Sequence, residues 1–131
     1  MSKRIPKEMT YGQKIFTLTE PKVVWKKALD EKGNYVIVKL LLPAGTRVVA
    51  ASWFLDHCNK LRSSRAKVLS ITGISSKRTV VTTFSKWDKL FVYRVGRLVR
   101  PRKAFSMSTL DICASGIHFF ATRKEAVSYA L

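Results

Sequence analysis

The stretch LFVYRVGRLVR, residues 90–100, decides how this chain folds. Phe91, Tyr93 and Val95 alternate with Val92 and Arg94, the period of two that a half-buried strand requires. Gly96 interrupts the run, and a glycine inside a strand pattern marks a bulge or a bend. Pro101 ends it. The same period recurs on both sides. YVIVKLLLP, residues 35–43, is rich in β-branched residues and reads as a buried strand. Pro43-Ala44-Gly45 is then a turn, and TRVVAAS returns as a second strand, so a hairpin is expected. AKVLSITG and RTVVTTF, separated by the polar ISSK, form a second hairpin.

Farther out the pattern weakens. KIFTLTE places Ile15, Phe16 and Leu18 in a short strand. PKVVWKKALDEKGN has no clean apolar period, and only the turn at Lys32-Gly33-Asn34 is legible. WFLDHCNKLRSSR reads either as helical turns or as a loop. GIHFFA, residues 116–121, is a strand covered on both sides, with Ile117 and Phe119 on one face and His118 and Phe120 on the other. Thr122 then opens a short C-terminal helix. Thr122 and Glu125 have the capping-box spacing, and Ala126, Val127 and Tyr129 to Leu131 must dock on the sheet to hold so few turns. The expected fold is α+β: a β-rich single domain of about five to seven mainly antiparallel strands, residues 15–131, with that helix at its end. Residues 1–14 form a basic arm in which Pro6 and Gly12 break any regular pattern.

Charge is the strongest compositional signal. The chain has 131 residues, 25 Lys and Arg against 8 Asp and Glu, and a net charge of +17. Such an excess opposes compaction by self-repulsion unless an anionic companion is at hand. Residues 60–103 hold thirteen basic side chains and one acid, Asp88. From this run the candidate anion- or partner-binding residues are Lys60, Arg62, Arg65, Lys77, Arg78, Lys86, Lys89, Arg97, Arg100, Arg102 and Lys103. A hydrophobic content of 47% argues for a folded domain rather than a disordered basic tail. No apolar run approaches a membrane span and no signal peptide is legible, so a soluble intracellular protein is expected. Two cysteines, Cys58 and Cys113, make no disulfide framework and are expected as free thiols.

Chemistry is weakly signalled. A nucleophilic Cys113–His118 pair would need hydrogen-bond reach and an orienting third group, for which Asp111 is the nearest candidate. Cys58 with His57 and Cys113 with His118 supply the four ligands of a tetrahedral zinc site. However, neighbours such as His57 and Cys58 point to different sides of a strand. The architectural reading is preferred: Cys113 packs as a small hydrophobe and His118 is hydrogen-bonded within a strand. No catalytic residue, metal or cofactor is assigned, and the chain is read as non-enzymatic.

The order FVYRVG, VRP, CASGIHFF and T-x-x-E-A-x-x-Y resembles a small uncharacterised domain of large double-stranded DNA viruses and some phages, often found beside pentapeptide repeats. The resemblance covers residues 65–129 and rests on Tyr93, Arg94, Gly96, Pro101, Cys113, Gly116, His118, Phe119, Phe120, Glu125, Ala126 and Tyr129, with Thr122 in the same motif. This chain departs from the pattern in its RPRK, where acidic residues commonly follow the proline. The resemblance implies a viral setting, either a particle or the infected host cytoplasm, and no activity. Two functions follow as expectations. The first is a structural virion protein, a minor capsid or cement-type component that binds other capsid proteins through its basic surface. The alternative is a nucleic-acid-binding protein of the viral genome, with Phe84, Trp87, Phe91 and Tyr93 interleaved as stacking platforms for DNA or RNA.

Overall fold

The computed structural model describes residues 14–50, 61–75, 78–84, 91–101, 104–106 and 115–129. They form eleven strands and one helix in two antiparallel sheets. The strands are β1 (Lys14–Thr17), β2 (Lys22–Leu29), β3 (Tyr35–Leu42), β4 (Arg47–Ala50), β5 (Leu61–Ser63), β6 (Ala66–Gly73), β7 (Thr79–Val80), β8 (Thr82–Phe84), β9 (Val92–Arg94), β10 (Leu98–Val99) and β11 (Ile117–Phe119). The helix is α1 (Arg123–Ser128).

The β-rich α+β class is as expected, and the strand count exceeds the five to seven anticipated. The reason is bending. LFVYRVGRLVR is one strand by period but two by partner: β9 pairs with β8, whereas β10 pairs with β6. Gly96, at φ +86°, makes the bend, a conformation that strains any residue with a Cβ. RTVVTTF divides in the same way at Val81, with β7 pairing β6 and β8 pairing β2 and β9. Periodicity reports which face a residue occupies and is silent on which neighbour the strand chooses.

These two bends close the larger sheet. Its order is β10-β6-β3-β2-β8-β9, so consecutive strands β9 and β10 stand at opposite ends of the path. Three residues join them, and the Gly96 N–H reaches the Val68 carbonyl of β6 at 2.8 Å while the Val95 N–H reaches the Val81 carbonyl at 2.9 Å. The sheet therefore curls until its ends meet, the usual way of removing exposed edges. Val24, Ala28, Val36, Val38, Leu40, Val68, Ile71 and Tyr93 fill the inside.

The smaller sheet runs β1-β4-β5-β11. β4 pairs β1 and β5 there, so the hairpin expected between YVIVKLLLP and TRVVAAS does not form. The turn after Pro43 instead docks on Leu18, whose carbonyl accepts from the Gly45 N–H, and this directs β4 away from β3. The unassigned KVVWKKAL segment is the long strand β2, in register with β3 from Lys22–Leu42 to Leu29–Tyr35. Paired backbone bonds between Trp25 and Phe120 stitch the small sheet to the barrel, and Val48, Leu61, Ile117 and Phe119 join the same core. The arm lies outside the described residues except for Lys14, which opens β1.

Thr122 caps α1 as the spacing predicts. Its hydroxyl accepts from the Glu125 N–H at 3.2 Å and donates to the Glu125 carboxylate at 2.8 Å. Ala126 is buried against β2 and β3, and Tyr129 packs on Phe120 with ring centroids 5.0 Å apart. Lys27 supplies the other end of the hold, donating to the carbonyls of Val127 and Tyr129 at 3.1 and 2.9 Å.

Candidate functional site

The basic run splits into three groups. Lys60, Lys77, Lys86, Lys89, Arg102 and Lys103 lie outside the described residues, as does Cys113. A second group is structural. Arg62, expected on the partner-binding face, is 1% exposed in the middle of the small sheet. Its Nε and Nη2 donate to the Ser106 carbonyl at 3.3 and 3.1 Å. Across from it, Gly116 leaves the space its side chain needs: a Cβ there would come within 2.8 Å of Arg62 Cδ. Arg62 is thus a core residue whose charged head ties residues 104–106 to the sheet, and it leaves the anion-binding set. The central strand position is the reason, since β4 and β11 cover both its edges.

Arg65 reaches the turn after Pro43, donating to the Ala44 carbonyl and the Thr46 hydroxyl. Arg78 pairs with Asp30 at 3.0 Å. The Asp30 carboxyl is held below its ordinary range, chiefly by the hydrogen bond from the Asn34 N–H. The Lys32 N–H and the Arg78 charge add to this, and together they outweigh the cost of burial. These contacts shape a cleft of about 470 Å³ lined by Lys27, Asp30, Tyr35, Ile74, Arg78 and Val127. The Lys27 ammonium lies 4.6 Å above the Tyr35 ring, besides holding the helix end. The cleft's charged groups are engaged in building the fold.

The third group is exposed. Arg97 and Arg100 face solvent, together with Lys67 and Arg94 of the same run. Lys39, which lies outside the run, joins them. On the barrel's outer wall Lys39 of β3 stands opposite Ser70 of β6, and Lys67 stands opposite both Leu41 and Leu98. Sequence reasoning passed over Lys39, although its signal was present: one charge in an otherwise apolar nine-residue run points to the uncovered face. The exposed carboxylates among the described residues are Glu20 and Glu31, both outside this wall.

The aromatics of this region face the other way. Tyr93 is buried, and burial raises its phenol well above the ordinary value. Phe91 stacks on it at 5.0 Å and packs against the core. Phe84 is half-buried, and Trp87 lies outside the described residues. Tyr93 and Phe91 are therefore core residues and not stacking platforms.

His118 is half-buried in β11 opposite Arg62, and its carbonyl accepts from the Lys26 ammonium at 3.0 Å. Ile117, Phe119 and Phe120 are buried, so the strand is covered on both faces as expected. His57, Cys58, Asp111 and Cys113 lie outside the described residues. Among those described, no three His, Cys, Asp or Glu side chains gather where they would hold a metal ion. No described helix is long and apolar enough to cross a membrane.

Comparison with known proteins bears on this arrangement in three ways. Uncharacterized protein L223 of Acanthamoeba polyphaga mimivirus is 33% identical over 97 residues, covering 71% of this chain. The chain spans 61% of that relative's length. No solved structure matches. The resemblance drawn from residues 65–129 therefore holds as one to a viral domain of unknown function. It also extends farther than the motifs that carried it, because a described family matches residues 2–126. The chain belongs to that family, DUF5758, a family of unknown function.

Proposed function

We propose that this chain is a non-enzymatic structural protein of a large DNA-virus particle, a minor capsid or cement-type component that docks by its basic barrel wall on an acidic protein surface. One observation carries the reading. Lys39, Lys67, Arg94, Arg97 and Arg100 project from the wall, while Tyr93 and Phe91 behind them point inward. A single-stranded nucleic-acid platform needs aromatic faces beside its cations, and among the described residues Tyr93 is committed to the core and Phe91 is stacked on it. A protein partner needs only complementary charge. The mimivirus relative supports the viral setting.

Salt dependence tests the choice. Affinity for a DNA duplex should be weak and vanish near 0.15 M salt, where the Debye length is about 8 Å. Reversal of Arg97 and Arg100 together should keep the protein out of purified particles. Tight duplex binding at that salt, with a log–log slope that flattens by about one unit per reversed arginine, would establish the nucleic-acid alternative instead.

A further inference from the structure

The exposed arginines do not stand alone. Six large hydrophobic side chains are exposed among the described residues, and four of them lie where the barrel closes: Val81, Val92, Val95 and Leu98. Val81 is 72% exposed, the highest of the six. Single exposed apolar residues are ordinary, whereas a gathered set marks a contact surface. The gathering is physical. The Val95 N–H bonds to the Val81 carbonyl, so these two residues adjoin. Val92 and Arg94 leave the same side of β9, with Tyr93 between them turned inward. Leu98 leaves β10 next to Lys67.

We infer that this closing seam, a ridge of valine and leucine interleaved with Arg94, Arg97 and Arg100, is the contact surface for an acidic protein segment that carries apolar side chains between its carboxylates. The inference rests on the protein-docking reading and narrows it to one place and one partner chemistry. Two arguments choose the partner. Phosphate contacts use Arg, Lys and polar groups, and nothing in a sugar-phosphate backbone rewards four exposed aliphatic side chains. The core of a protein interface does reward them, and it favours arginine over lysine because the planar guanidinium binds a carboxylate through two parallel hydrogen bonds. Among the described residues no carboxylate stands in ion-pair range of these three arginines, which leaves their guanidinium groups open to the carboxylates of such a segment.

The test uses the full chain and three probes at about 0.15 M salt: a peptide alternating glutamate with valine, a polyglutamate peptide of equal charge, and a DNA duplex. The alternating peptide should bind about tenfold or more tightly than polyglutamate. The double substitution Val81→Ser with Val95→Ser should remove that advantage and leave polyglutamate binding and the denaturation midpoint unchanged. Val81 is 72% exposed and Val95 38%, so the midpoint checks the fold of the double variant and Val81→Ser alone repeats the test if that midpoint shifts. Equal binding of the two peptides, or none, overturns the seam while sparing the broader docking reading. A duplex that outcompetes both peptides overturns the two together.

Discussion

Strand β5 and the β9–β10 seam draw on the same basic run and use it in opposite ways. In β5, Arg62 is enclosed by β4 and β11 and spans the space that Gly116 leaves, its guanidinium fixed to the Ser106 carbonyl. At the seam, Arg94 and Arg97 flank a bend and are exposed to solvent. Residue type and local charge density are alike in the two places. What differs is the number of covered strand edges and faces, which is a property of topology. A run of positive charge is therefore not one surface: among the described residues its seam portion is open to a partner, while Arg78, though exposed, is paired with Asp30.

The comparison is broken most easily at its buried end. Arg62→Ala should cost about 3 kcal/mol, through lost packing along the aliphatic stem and loss of its two hydrogen bonds to the Ser106 carbonyl. Gly116→Ala should cost about 1–3 kcal/mol, because the added methyl meets Cβ, Cγ and Cδ of Arg62 within 3.0 Å. The double variant should cost less than the sum, since truncating Arg62 removes most of the atoms that the new methyl would strike. Urea denaturation of the three variants measures this. Strict additivity would show that the two positions do not share a space.

A smaller effect is expected at the helix, which both regions leave untouched. Thr122→Ala should lower stability by about 0.5–2 kcal/mol through loss of the N-cap bond to Glu125. Thr122→Ser should restore most of it, since the hydroxyl rather than the methyl makes the contact. An unchanged midpoint in the alanine variant would mean that Lys27 and Ala126 hold α1 without its cap.

How much of this was legible in the sequence follows from what each signal encodes. The cap was, because it is local: Thr122 and Glu125 are three residues apart and need no knowledge of the rest of the chain. The two covered faces of GIHFFA were legible from alternation. Gly96 as a bend was legible, but the change of partner across it was not, because period two is the same whichever strand lies alongside. β2 was hidden by its lysines. Lys26 and Lys27 weaken any strand pattern, and only distant groups, the carbonyls of His118, Val127 and Tyr129, give them a place. Arg62 was misread for the same reason. Its surroundings come from β4, β11 and residues 104–106, none adjacent in sequence. Of the candidate site, the sign of the charge was legible and its division into buried and exposed parts was not.

The exposed end of the comparison gives the smallest stability effect and the sharpest contrast. Among the described residues the Arg97 side chain makes no contact that would be lost, so Arg97→Glu should stay within about 0.5 kcal/mol of the parent. The sign should be stabilising. The chain carries +17, and replacing one positive charge by a negative one relieves repulsion with the neighbouring Arg94, Arg100 and Lys67. That gain is electrostatic and unshielded by burial, so it must fade as salt rises. At 1 M salt the Debye length is about 3 Å, and the variant and parent should melt together. Paired urea titrations at about 0.05 M and 1 M salt read the difference directly. A loss of more than about 1 kcal/mol that persists in high salt would show that Arg97 is held by the fold as Arg62 is, and the seam would cease to be a separate region.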